Sequence, residues 1–235
     1  MRTFFAPPEK REGDSIRLDP EELHHAQTVL RLKPGEHVRV LDGAGGSFEG
    51  SLEFSSGSIS IRQRHTVPRP PCRVVLAMSL IKGDRWDWFL EKSVEIGVAR
   101  IIPILTEHSL VRIAPAHEDR KLARWRQIAV GALKQSGQPY LPEIAAPLLF
   151  SDVLQREHAG ARWILSERGG KRLQEVLRRD LTGILALIGP EGGWSDSELD
   201  EAAAAGFQAV SLGTQILRAE TAPLYLLSAI RFATE

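Results

Sequence analysis

The chain has 235 residues, 43% of them hydrophobic, and its 30 Lys plus Arg balance 30 Asp plus Glu to a formal net charge of zero. That is enough apolar material for one large or two small cores, yet no apolar run approaches the roughly 20 residues that a bilayer span needs, so no membrane partner is expected. A single cysteine, Cys72, excludes an intrachain disulfide and a cysteine-based zinc cluster, and the seven histidines show no HExxH-like spacing, so no metal is expected.

The opening MRTFFAPPEKR lacks the apolar region and cleavage site of a secretory signal; the expected location is cytoplasmic. Thr3 to Ala6 is a short apolar run closed by Pro7-Pro8, and Asp19-Pro20-Glu21-Glu22 signals a helix start. Leu23, Ala26, Gln27 and Leu30 share one face of that helix, which is expected to end near Leu32 before Lys33-Pro34-Gly35. His37 to Leu41, Ser47 to Phe54 and Ser58 to Arg64 alternate apolar with polar residues around glycine-bearing turns, the pattern of a small β-barrel. Prolines 68, 70 and 71 stiffen the segment from Val67 to Cys72, and a domain boundary is placed there.

Beyond it, strands and helices alternate, which implies a parallel sheet. Arg73 to Ile81 is an apolar strand; the helix Arg85 to Ile96 follows, with Trp86, Phe89, Leu90 and Val94 as its buried stripe and Gly97 as its stop. Glu91 and Glu95 lie four apart on that helix, a mildly repulsive pair that faces solvent or serves a function. Ile101 to Leu105 is the next strand, and Asp119 to Gln135 the next helix, turning Leu122, Trp125, Ala129, Ala132 and Leu133 inward. Between Arg112 and Lys134 the basic residues Arg112, Arg120, Lys121, Arg124, Arg126 and Lys134 face only Glu118 and Asp119. Such a patch suits phosphate, and suits a solvated helix face equally. Ile144 onward and Trp163 to Glu167 complete the central strands.

The stretch from 184 to 222 alternates apolar runs with glycine-rich loops that have no packing purpose of their own, and it is read as a ligand site. Ile184 to Ile188 fits a strand buried on both faces. In the loop Gly189-Pro190-Glu191-Gly192-Gly193 the amides of Gly192 and Gly193 are free to face a bound group. Ser195 and Glu198 form a capping box and Gly206 stops the helix. Ala209 to Leu212 is a second strand with a second glycine-bearing loop at its end, and Thr221 caps a last helix, Ala222 to Ala233, with Pro223 in its first turn. That helix is apolar almost all round. Neither loop has Walker or GxGxxG spacing.

IGPEGG at 188–193 with its capped acidic helix, then LGTQILRAETA at 212–222, resembles the SPOUT class of RNA methyltransferases and, more narrowly, the RsmE family. His25 to Arg31, as HxxxVLR, is similar to that family's PUA-like domain, and Leu90 to Val98 is similar to its KxxELGV motif through Lys92, Glu95 and Gly97. The resemblance implies an α/β fold: a SPOUT trefoil-knotted parallel-sheet methyltransferase domain over residues 72–235, behind a PUA-like β-barrel RNA-binding domain over 1–68. It implies an enzyme that uses S-adenosyl-L-methionine to methylate N3 of one uridine in 16S rRNA of the small ribosomal subunit, acting as a homodimer with the last helix at the interface. A SPOUT enzyme acting on a ribose 2'-hydroxyl or on transfer RNA, and a noncatalytic RNA-binding protein, stand as alternatives. Residues expected at the cofactor are Leu165, Ile188, Gly189, Pro190, Glu191, Gly192, Gly193, Leu212, Gly213, Ile216, Leu217, Arg218, Thr221 and Ala222. Arg218 is expected to stabilise negative charge on the uracil oxygens, with Glu191 and Glu220 as orienting groups or base; the alternative is that Arg218 and Glu220 only pair with each other and the loop. Expected RNA contacts are Arg2, Arg31, Arg39, Arg62 and Arg64 on the barrel, and Arg120 and Arg124 on the basic helix. Lys134, Gln138 and Thr214-Gln215 depart from the family's usual Glu, Arg and Pro-Arg.

Overall fold

The computed structural model describes residues 1–156 and 158–234, so Glu235, the last residue of the expected methyltransferase domain, lies outside the described residues. The chain forms two compact units, one of residues 1–69 with 130–141 and one of 70–129 with 142–235.

The first unit contains β1 (Arg2–Phe5), β2 (Arg11–Glu12), β3 (Ser15–Arg17), α1 (Pro20–His24), β4 (His37–Leu41), β5 (Gly46–Glu53) and β6 (Ser58–Thr66). Its sheet runs in the order β1-β4-β5-β6-β3-β2. The β1–β4 pair is parallel and the others antiparallel. Phe4, Ile16, Val38, Val40, Phe48, Leu52 and Ile59 meet in one core, so the sheet curls around it with a seam between β1 and β2. Alternation sets this burial, because successive side chains of a strand point to opposite faces.

The first helix ends sooner than its pattern predicts. After α1 the chain makes one π-helical turn, His25–Val29, and Arg31 enters the left-handed region at φ 53. The Leu32 amide then bonds the Ala26 carbonyl at 3.0 Å, closing the helix end as glycine usually does. Ala26 is buried and Leu23 and Leu30 pack on the core, whereas Gln27, expected on the same face, is exposed. The wider π turn rotates it away. Lys134 bonds Glu22 at 2.5 Å within this unit, so a Glu at 134, the residue that the resemblance implies, would here face a like charge. Lys134 is a compensated departure.

The second unit holds β7 (Arg73–Ser79), α2 (Asp84–Ile96), β8 (Arg100–Leu105), most of α3 (Pro115–Ser136), β9 (Glu143–Ile144), β10 (Leu148–Leu149), α4 (Phe150–Leu154), β11 (Ala161–Leu165), β12 (Lys171–Arg172), α5 (Leu173–Val176), β13 (Gly183–Ile188), α6 (Asp196–Ala204), β14 (Gln208–Ser211) and α7 (Thr221–Thr234). Its sheet has the order β10-β8-β7-β13-β11-β14-β12, with β9 beside β8. Every pairing in it is parallel. All six residues of β13 are buried, as a central parallel strand covered on both faces requires.

α3 begins at Pro115, four residues before the predicted start, because proline is well placed in a first helical turn. Lys92 resolves the expected Glu91–Glu95 repulsion by bonding both carboxylates, at 2.8 and 2.7 Å. α7 starts one residue early, with Thr221 inside it, and the amides of Thr221 and Ala222 bond the Arg218 carbonyl. Pro223, Leu226, Leu227 and Ile230 are buried, while Tyr225 and Phe232 are 50% and 91% exposed. Arg231 donates to the carbonyls of Ile96 and Gly97 at 3.0 and 2.6 Å, placing a cation on the otherwise unpaired C-terminal carbonyls of α2.

Cys72 is buried, and desolvation pushes its thiol pKa up against a smaller opposing effect of Arg231. A thiol reagent at pH 8 is therefore expected to label the native protein at least about a hundredfold more slowly than the urea-unfolded chain. Comparable rates in the two states would show that this end of β7 opens readily.

Candidate active site

The carboxyl ends of β11, β13 and β14 lie side by side, because β11 pairs with both of the others. Loops leaving adjacent parallel strand ends make the usual ligand crevice of such sheets. Here they enclose a cavity of about 370 Å³.

Local sequence explains the first wall. Gly193, at φ 72, closes a tight turn through its amide to the Pro190 carbonyl at 3.0 Å. A Cβ on Gly189 would meet the Trp194 ring at 3.0 Å, so glycine there lets the ring lie against the backbone. Trp194, 4% exposed, donates its indole N–H to the Leu165 carbonyl at 2.8 Å and so ties the β13 loop to the end of β11. Ser195 and Glu198 complete the capping box at 3.2 and 3.0 Å. The other oxygen of the buried Glu198 carboxylate accepts from the Glu107 amide at 2.9 Å, which pins the loop after β8 to α6. Gly192 serves that contact, since a Cβ on it would meet the Cβ of His108 at 3.0 Å.

The second wall is the loop after β14, where Gly213 takes φ 141, a backbone conformation that strains other residues. Of the residues expected at the cofactor, Leu165, Ile188, Gly189, Pro190, Glu191, Gly193, Leu212, Gly213, Ile216, Leu217, Arg218 and Ala222 line the cavity. Gly192 and Thr221 do not. Sequence reasoning did not place Arg85, Ser166, Glu167 or Arg168 there, although all line it. No local signal in these residues marks them; strand order brings them in.

The three candidate catalytic residues have different surroundings. Arg218 is exposed at the cavity and, among the described residues, its guanidinium has no hydrogen-bond or ion-pair partner. Glu191 lines the cavity and pairs with Arg85 at 3.2 Å. Glu220 is 7% exposed, does not line the cavity, and its Oε2 has no partner. The expected alternative, an Arg218–Glu220 pair, does not occur.

The arginines expected at RNA divide likewise. Arg2, Arg31, Arg62 and Arg120 are exposed. Arg39 pairs with Glu49 at 3.1 Å, Arg64 with Asp14, and Arg124 with Asp87. Hydrogen bonds from Arg39, then His37, hold the Glu49 carboxyl below the usual range. These three guanidiniums already have anionic partners.

The chain with this crevice matches two family models: an RNA methyltransferase PUA domain over residues 18–62 and an RNA methyltransferase domain over residues 68–231. The fold and site are thus those of an RNA methyltransferase. The ribosomal RNA small subunit methyltransferase E of Synechocystis sp. is 34% identical, over 100% of this chain and 78% of its own length. The ribosomal RNA small subunit methyltransferase E from Neisseria gonorrhoeae bound to S-adenosyl methionine superimposes with a TM-score of 0.90 at 32% identity, covering 100% of this chain and 98% of the other. A putative methyltransferase from Legionella pneumophila, in complex with the bound cofactor SAM, gives 0.88 at 31% identity, covering 99% and 97%. This chain belongs to the ribosomal RNA small subunit methyltransferase E family.

Proposed function

We propose that this protein is an S-adenosyl-L-methionine-dependent methyltransferase acting on N3 of a uridine in 16S rRNA of the small ribosomal subunit. The observation that carries the reading is the 370 Å³ cavity at three parallel strand ends with Arg218 at its wall, unpaired among the described residues. Its volume lies within the roughly 300–1,000 Å³ of small-molecule sites. The apolar Leu165, Ile188, Leu199 and Val210 suit the faces of a purine, and the Gly189, Leu212, Gly213 and Leu217 backbone suits its polar edge and ribose. The residues present therefore fit the group.

When bound there, S-adenosyl-L-methionine supplies an electrophilic methyl group on a sulfonium. The chain's own residues have to present a nucleophile in line with it and manage one proton, since uracil N3 is protonated and lies on the pairing edge, out of reach in a duplex. Arg218 stabilises the negative charge that spreads to the uracil oxygens as N3 loses its proton. Glu191, which lines the cavity and pairs with Arg85, serves in this reading as the proton acceptor, and the buried Glu220 as a group that orients the loop.

In this reading residues 1–68 form the RNA-docking domain and 72–235 the catalytic domain, with contacts from Arg2, Arg31, Arg62 and Arg120 and, once released from their pairs, Arg39, Arg64 and Arg124. The chain leaves β11, forms β13 on one side of it and returns as β14 on the other, an order that supports a trefoil-knotted topology. The exposed Tyr225 and Phe232 on α7 support a homodimer. Among the described residues no helix is long and apolar enough to cross a membrane.

Labelled S-adenosyl-L-methionine supplied with purified small subunits and with naked 16S rRNA tests the whole reading. Mass spectrometry of the digested RNA is expected to find N3-methyluridine, formed faster on assembled particles, where RNA shape as well as sequence is presented. Label on a ribose hydroxyl or on transfer RNA moves the substrate. A calorimetric titration with no S-adenosyl-L-methionine binding leaves only a noncatalytic RNA binder.

A further inference from the structure

The second unit has another cavity, of about 240 Å³, that the proposed reaction does not use. It lies on the far side of the first turn of α2. Arg85 lines the first cavity, while Gly83, Asp84, Trp86 and Asp87 line the second. The floor is apolar, made by Leu80, Ile81 and the Trp86–Trp125 pair, whose rings are 5.2 Å apart.

Two features make it more than a packing gap. Trp86 is 3% exposed, yet its indole Nε1 has no hydrogen-bond partner among the described residues. A buried donor without an acceptor is costly, and tryptophan N–H groups normally find one. The rim carries the cations Arg112, Lys121 and Arg124 and the carboxylates Asp84 and Asp87, a positive excess of one: Arg124 is engaged by Asp87, Asp84 is exposed, and Arg112 and Lys121 are exposed and, among the described residues, have no acidic partner.

We propose that this cavity binds one unpaired nucleotide of the RNA next to the target base. The inference rests on the RNA methyltransferase reading. A nucleobase offers a flat apolar face to the tryptophan-lined floor and a carbonyl oxygen to the Trp86 N–H, and its phosphate answers the charges of Arg112 and Lys121. The volume falls below the roughly 300–1,000 Å³ of drug-sized ligands and suits a single base. An RNA strand crossing the first turn of α2 would place two successive extruded nucleotides in the two cavities. The second would read sequence beside the methylated position.

The test uses the full-length protein, naked 16S rRNA for binding and small subunits for KM. The pair Arg112→Gln with Lys121→Gln is expected to weaken RNA binding about tenfold or more, and to lower the log–log salt slope by about 0.7, the one phosphate that the two cations share on a single strand. Trp86→Phe, which keeps an aromatic ring and removes the N–H, is expected to weaken RNA binding about threefold or more, within the range of one hydrogen bond. Both raise KM more than they lower kcat, and both keep the wild-type Kd for S-adenosyl-L-methionine. The control pair Arg156→Gln with Arg179→Gln removes the same charge from surface outside both cavities and is expected to change RNA binding less than about threefold. Equal weakening by the two pairs, or wild-type RNA binding by Trp86→Phe, overturns the proposal. If the wild-type protein binds RNA but no S-adenosyl-L-methionine, the methyltransferase reading fails, while the same binding comparison still decides whether the cavity holds RNA.

Discussion

Arg218→Ala is expected to lower kcat for methyl transfer to small subunits by about 10²–10³-fold, the usual loss when one donor to a developing oxyanion is removed, or about 3–4 kcal/mol of transition-state stabilisation. The expectation follows from where the guanidinium sits: at the cavity wall, exposed, and with no anion among the described residues to neutralise it. Calorimetry should give a nearly unchanged Kd for S-adenosyl-L-methionine, because the cofactor contacts proposed at this position come from the loop backbone. Arg218→Lys keeps the charge but loses the planar fork, and is expected to recover part of the rate. A rise in KM with kcat intact would instead make Arg218 an RNA-phosphate contact. Retention of kcat within about threefold in Arg218→Ala would remove the proposed oxyanion role altogether.

Trp194→Ala is expected to be the most destabilising single change at the site. The ring packs against Phe150, 5.3 Å between centroids, and against the backbone at Gly189, and its N–H satisfies the buried Leu165 carbonyl. Truncating a buried tryptophan costs about 3–5 kcal/mol, which in a unit of this size lowers Tm by roughly 6–20 °C. Because the residue joins the β13 loop to the end of β11, the Kd for S-adenosyl-L-methionine should rise more than tenfold at temperatures where the variant is still folded, by about the 1.4 kcal/mol that a factor of ten represents. Trp194→Phe separates the two effects: it keeps the packing and loses about 1–3 kcal/mol for the orphaned carbonyl. An Ala variant that melts and binds like the wild type would show that the loop is held by other contacts, with Glu198 and the Glu107 amide first among them.

Several elements were legible in the sequence because the forces that set them act over a few residues. The apolar run of β13, the Ser195–Glu198 capping box and the stop at Gly206 depend on neighbours within about one helical turn. The alternation of β4, β5 and β6 needs only the two-residue period of a strand. The motifs at 188–193 and 212–222 marked the two loops that wall the cavity, and the family to which they pointed is the one to which the chain belongs.

Tertiary structure alone decided what fills those walls. Ser166, Glu167 and Arg168 reach the cavity because β11 lies between β13 and β14, and Arg85 because α2 begins beside it. Glu220, two residues from Arg218, turns into the interior, while Arg218 faces the cavity. Residues 130–141 fold with the first unit although they lie far beyond the proline-rich boundary segment in the chain. Arg39, Arg64 and Arg124, expected as RNA contacts, have carboxylates beside them that come from another strand, a turn and another helix. Caps, periods and turns belong to adjacent residues and are written locally; strand order and charge pairing join residues tens of positions apart, whose meeting only the packed tertiary structure determines.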